Sequence, residues 1–304
     1  MINLITSCTN SKKHSSSELL KIANYDVDST LEDVIAQWKY NLSKNSYDSY
    51  KAKELYKGGA WQAVRETYNV LSKHYNTELF IASAGHGLIH SDNEINAYDC
   101  TFASNTSNSI SKFVKDSNKR ANINWWNEIN TFSVSSFSDG SLFFIVLPHG
   151  YLYATQGFIK ELIERFGKDV FIFTASQHSI LPFMEDNIVK FDSRFNNFQI
   201  GVISNMLQRA VLWLSNEIMT KHIPLSHAEL QNHIDNEMAQ HELFTMPVRA
   251  KLTEEDIREK IKTMIVEDNI ASASQGLRSF RDKGFACEQK RFGKLFKQVK
   301  GELT

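Results

Sequence analysis

Four stretches carry side chains that could do chemistry: SCTNSKK at 7–13, SAGHGLI at 83–89, PHGYLY at 148–153 and ASQHS at 175–179. Each follows an apolar run and ends it with hydroxyl, thiol, amine, imidazole or glycine. Ser7, Cys8 and Ser11 offer hydrogen-bonding groups, and Lys12 and Lys13 offer two ammoniums that could sit over a phosphate with the loop amides around it. The loop lacks the Gly-x-x-x-x-Gly-Lys-Ser/Thr pattern, which argues against a nucleoside triphosphatase. Beyond Ser83, Gly85 and Gly87 flank His86 and permit a sharp turn and a close ligand approach. His86, His149 and His178 are candidate general acids or bases, each also readable as a hydrogen-bonded interior histidine, and Tyr151 and Gln177 are candidate ligand contacts. Asp99, preceded by Tyr98, is the best single candidate for catalysis. A carboxylate beside a phenol could orient a water or stabilise a cationic transition state; the alternative is a turn-capping aspartate.

The elements that must position these residues are legible as apolar runs. INLIT (2–6), LFIASA (79–84), LFFIVLP (142–148) and VFIFTA (170–175) are continuous rather than alternating, as parallel strands covered on both faces require. Candidate helices lie around 16–23, 29–43 and 60–75, and YLYATQGFIKELIERFG reads as a helical stretch closed by Gly167. The expected fold is α/β, with a mostly parallel four-stranded central sheet flanked by helices and a ligand rim at the carboxyl ends of the strands. Residues 100–140, rich in Ser and Asn around INWWNEI, read as a long excursion on the ligand side. From about 203 the pattern is helical, so the expected domains are an α/β domain over 1–202 and an all-α appendage over 203–304.

Composition narrows the function classes. With 304 residues and a formal net charge of −1, the chain can bury a sizeable core, and any nucleic-acid surface must be a local patch. The three cysteines, Cys8, Cys100 and Cys287, share no metal-ligand spacing and fit a reducing cytoplasm. No basic leader or long apolar stretch is visible, so neither secretion nor a membrane partner is expected. No cofactor and no metal are expected either. His233, Glu237 and His241 fall at four-residue steps on one helix, but the spacing is not the His-Glu-x-x-His zinc arrangement.

The last helical stretch is basic. Across 277–300, Arg278, Arg281, Lys290, Arg291 and Lys294 are candidate contacts to a DNA backbone, while Leu277, Phe280, Phe292, Leu295, Phe296 and Val299 recur at helical spacing and belong to a core side. Gly284 separates two helices in a helix-turn-helix-like arrangement. A solvated amphipathic face is the plainer alternative.

SCTNSKK, ELYKGGAW (54–61) and SAGHGLIHSDNEINAYD (83–99), in that order, resemble the YaaA-like peroxide-response proteins and their uncharacterised relatives. Ser91 and Ala97 stand where that family often has proline. The four-strand architecture and the loop SQHS (176–179) are similar, more loosely, to the uracil-DNA-glycosylase superfamily, although the first-strand loop here carries no acid. Related folds include domains attached to tRNA base-exchange enzymes and a phage-defence DNA glycosylase acting on glucosylated hydroxymethylcytosine. These resemblances imply chemistry at the bond between nucleobase and sugar. They imply a DNA glycosylase-like hydrolase, cytoplasmic and antiviral in setting, whose partner is double-stranded DNA with a flipped, modified base. The alternative is a non-catalytic YaaA-like DNA-binding stress-response protein.

Overall fold

The computed structural model describes residues 1–304 except 45–47, 105, 114–117, 176–180 and 304, and describes only the backbone of 118 and 119. Gln177 and His178 lie outside the described residues. The chain divides into two compact units, Met1–Phe244 and Thr245–Thr304.

The first unit is built on a six-stranded mixed sheet. Its strands are β1 (Ile2–Ser7), β2 (Thr77–Ser83), β3 (Gly87–His90), β4 (Leu142–Val146), β5 (Val170–Thr174) and β6 (Ile188–Lys190), in the spatial order β3-β2-β1-β4-β5-β6. β1 pairs in parallel with β2 and β4, β4 with β5 and β5 with β6, whereas β3 returns antiparallel to β2. The four apolar runs form β1, β2, β4 and β5. The expectation of four strands is corrected to six because the two edge strands are short: β3 lies within a stretch read as a site loop, and β6 has only three residues. An edge strand has one neighbour and needs little hydrophobic signal.

Helices cover the sheet. They are α1 (Leu31–Ser43), α2 (Gly59–Ser72), α3 (Asn118–Ile129), α4 (His149–Ala154), α5 (Gln156–Phe166), α6 (Met206–Lys221) and α7 (His227–Met238). Thr30 caps α1 by accepting the Asp33 amide at 3.2 Å. The amide of Gly167 closes α5 on the Ile163 carbonyl. The helix expected at 16–23 is instead two short 3₁₀ turns, Glu18–Leu20 and Ile22–Asn24. The Ser- and Asn-rich excursion is tied into the core by Phe102, Ile110, Trp125 and Trp126, all buried.

The unit boundary falls after Phe244 rather than at 202. α6 packs along α2 and against β4 and β5, and α7 packs on β6. The His227 ring stacks on Phe171 at 4.4 Å, and its Nε2 hydrogen-bonds the Val170 carbonyl at 3.1 Å. These helices are therefore a covering layer of the sheet, which their helical pattern alone did not reveal.

The second unit holds α8 (Glu254–Val266), α9 (Ala273–Asp282) and α10 (Gln289–Glu302). Its own core contains Ile257, Ile261, Leu277, Phe280, Phe292, Leu295, Phe296 and Val299, so the apolar face read from the sequence is the buried one. No helix among the described residues is long and apolar enough to cross a membrane.

Candidate functional site

From β1 the chain passes to β2 on one side, and it later reaches β4 on the other. That reversal makes the carboxyl ends of β1 and β4 the topological switch point of the sheet, the place where open α/β sheets bind ligands. Cys8 follows β1 and Tyr151 lies in α4, the helix after β4. Cys8 Sγ and Tyr151 Oη are 2.9 Å apart and bridge the two strand ends.

A second buried chain of groups lies beside the end of β2. Ser83 Oγ accepts the amides of Gly85 and His86 at 3.3 and 3.2 Å and donates to Tyr98 Oη at 2.8 Å. Tyr98 Oη is 3.1 Å from Tyr56 Oη. The turn that carries this chain is fixed from outside: Trp38 Nε1 donates to the Gly85 carbonyl at 2.9 Å and Trp125 Nε1 to the Ala84 carbonyl at 2.7 Å. Both glycines are required by contact. A Cβ at Gly85 would meet the Tyr98 ring at 2.6 Å, and one at Gly87, where φ is +74°, would meet the Asn130 backbone at 2.6 Å.

Lysine enters through a backbone pairing. Lys12 bridges Tyr56 in antiparallel fashion, the Lys13 amide bonds the Leu55 carbonyl at 2.8 Å, and the Lys57 amide bonds the Ser11 carbonyl at 3.1 Å. Successive side chains on such a bridge point to opposite sides. Lys12 Nζ lies 4.1 Å from the centre of the Tyr98 ring and 5.9 Å from that of Tyr56, while Lys13 lines a cleft elsewhere around Tyr56.

The wall is neutral apart from Lys12. Burial pushes the phenols of Tyr56, Tyr98 and Tyr151 and the thiol of Cys100 upward, so each keeps its proton at neutral pH. Burial also lowers His86 to about 4, opposed by the bond to the Asn96 carbonyl and assisted by the Lys12 charge. Because a carbonyl only accepts, the neutral His86 ring donates from Nε2 to Asn96 at 3.1 Å. The arrangement can donate hydrogen bonds and place one positive charge; it is poorly suited to abstracting a proton.

Several expected residues thus converge: Cys8, Lys12, Ser83, Gly85, His86, Tyr98 and Tyr151. Ser7 is buried at the end of β1, and exposed Ser11 contributes its carbonyl to the loop, accepting the Thr9 hydroxyl at 2.9 Å. His149 is half-buried, with its ring centre 4.6 Å from that of Tyr153. Asp99 faces differently from Tyr98. Its backbone bonds Leu20 and Ile22, and its carboxylate accepts the Asn108 amide at 2.6 Å.

Sequence reasoning missed Tyr56, Cys100 and the two indoles. Tyr56 stands inside ELYKGGAW, so the signal was present but carried no assigned role. Of the His233–Glu237–His241 series, the first two meet Glu217 of α6. Lys221 Nζ lies 2.6 Å from Glu217 and 3.3 Å from Glu237, and His233 Nε2 lies 3.0 Å from Glu217. His241 is instead against Phe198, with ring centres 5.0 Å apart. In the C-terminal unit, Arg281 donates to the Cys287 carbonyl at 3.0 Å, Arg291 lies 3.5 Å from Glu254 and Arg278 lies 4.0 Å from Asp282.

The fold and these groups define an α/β protein of doubly wound type with a phenol-rich polar wall at the carboxyl edge of its sheet. Residues 42–127 match a family of unknown function, DUF6884. The match takes in Tyr56, Ser83, His86 and Tyr98 but not Cys8, Lys12 or Tyr151. No curated protein matches the chain.

Proposed function

We propose that the chain is a DNA glycosylase-like hydrolase that cleaves the bond between a modified nucleobase and its sugar. The observation that carries this reading is the set of neutral phenols gathered near one ammonium: Tyr56, Tyr98 and Tyr151 with Lys12, beyond the carboxyl ends of the strands. When the C1′–N bond breaks, its electron pair stays on the departing base. Phenol donors and an ammonium held in a dry site stabilise that charge, and they need no reorganisation to do so. Water adds to C1′, and the proton it loses neutralises the departed base. The base must leave the stack to reach such a wall, which is the reason for expecting a flipped nucleotide. Substrate class and DNA as partner rest on the resemblance of the quoted motifs.

In this scheme Asp99 orients the water or stabilises the cationic sugar, and to do so its carboxylate must exchange the Asn108 amide for the substrate. The present direction of that carboxylate favours a second reading, a binding module that holds an unpaired base without cutting it.

The test is incubation of the purified protein with plain DNA and with DNA carrying glucosylated hydroxymethylcytosine, followed by mass spectrometry of released bases and abasic sites. Release from the modified DNA, reduced about 10²-fold by Lys12→Ala, is the expected result. No release from either DNA, with binding intact, establishes the binding module. Release undiminished by Asp99→Asn removes that residue from the mechanism.

A further inference from the structure

Beside Tyr56 lies an open cleft of about 600 Å³, lined by Lys13, Lys57, Arg65 and Glu66 as well as by Tyr56 itself. Its far wall is the solvent face of α2, where positions 62, 65, 66 and 69 share one side of the helix and Trp61, Val64, Thr67 and Leu71 the buried one. Lys13, Lys57 and Arg65 are exposed, and none makes an ion pair among the described residues. Glu66 is the single carboxylate of the lining, and it accepts the Gln62 amide at 3.0 Å. Elsewhere on this unit Lys39, Lys53, Lys160 and Lys221 are ion-paired with Glu128, Asp92, Glu164 and two glutamates respectively, and exposed lysines without an ion pair among the described residues, such as Lys73 and Lys168, do not line this cleft. What sets Lys13, Lys57 and Arg65 apart is that three unneutralised cations line one cleft, in a chain of net charge −1, an arrangement that suits an anionic ligand.

The geometry points to a phosphodiester site: we infer that Lys13, Lys57 and Arg65 hold the backbone of the strand whose base meets the wall on the other side of Tyr56. The backbone pairing of 11–13 with 55–57 sets this division, sending Lys12 to the phenols and Lys13 to the cleft. The ligand is therefore a polynucleotide rather than a free nucleoside. The identity of the ligand rests on the nucleobase reading above; the anion site itself does not.

The experiment is a fluorescence anisotropy titration of the full chain with a labelled DNA duplex at several salt concentrations, with inorganic phosphate and a nucleoside monophosphate as competitors. Lys57→Gln/Arg65→Gln is expected to weaken binding about tenfold and to reduce the salt slope by about two. Lys39→Gln/Lys160→Gln, an equal change of charge on ion-paired lysines, is expected to leave both unchanged. Equal weakening by the two double variants overturns the site, as does a wild-type chain that does not bind DNA. Complete competition by millimolar monophosphate overturns the polymer assignment. Cleft-dependent binding without base release supports this inference and refutes the hydrolase. Base release and binding both unaffected in Lys57→Gln/Arg65→Gln do the reverse.

Discussion

Tyr56 borders two regions of opposite physical character. One is the wall of Tyr98, Tyr151, Ser83 and Cys8, buried, neutral and hydrogen-bonded at nearly every polar atom. The other is the cleft of Lys13, Lys57 and Arg65, exposed, charged and unpaired. The wall is fixed by neighbours distant in sequence, down to the indoles that hold the Gly85 and Ala84 carbonyls. The cleft's three cations are held through their backbone, by the pairing of 11–13 with 55–57 and by α2, while their side chains carry no ion pair among the described residues. Substitution in the wall should therefore appear first as lost stability, whereas substitution in the cleft should appear as lost affinity.

Gly85→Ala should give the largest stability change. Its Cβ would sit 2.6 Å from the Tyr98 ring, and because both indoles hold the turn in place the clash has little outlet. A loss of about 2–3 kcal/mol in urea unfolding is expected; an unchanged midpoint would mean that the wall yields as easily as the cleft.

Acid should reach the wall through His86. Its folded value near 4 lies below the ordinary 6.5, so the unfolded chain binds the extra proton in between. The contribution is complete above about 6.5, is lost as pH falls toward 4, and amounts to roughly 2–3 kcal/mol. His86→Gln should flatten the stability profile in that window. A slope identical to wild type there would assign the acid sensitivity to other groups.

Tyr98→Phe should cost less, about 1–2 kcal/mol, because the ring still fills its place while the Ser83 hydroxyl loses its acceptor. Thermal melts of this variant and of Ser83→Ala should agree if the hydroxyls act as one chain.

The smallest stability effects are expected at charged surfaces. Lys57→Gln/Arg65→Gln should stay within about 0.5 kcal/mol of wild type by urea unfolding. Lys290→Gln/Lys294→Gln in the C-terminal unit should be equally silent in stability and should weaken DNA binding by about twofold or less. A larger loss than at the cleft would make the tail the principal cationic surface. That tail looked the more basic in sequence, yet Arg278, Arg281 and Arg291 each lie against a carbonyl or carboxylate of their own unit.

The sequence by itself determined the four long strands, the polar groups at their carboxyl ends and the buried face of the C-terminal helices. These are local patterns: a continuous apolar run or a helical repeat reports which side chains must leave water, whatever they later pack against. Only the tertiary structure decided that α6 and α7 cover the sheet, that Tyr56 meets Tyr98, and that Asp99 faces Asn108 rather than its neighbour's phenol. Those outcomes depend on pairings between distant segments, Lys12 with Tyr56 and Lys21 with Asp99, which fix where a side chain points. Charge follows the same logic. Counting lysines and arginines along a helix locates positive groups, but whether a charge is free for a ligand depends on which carboxylate or carbonyl the fold brings beside it.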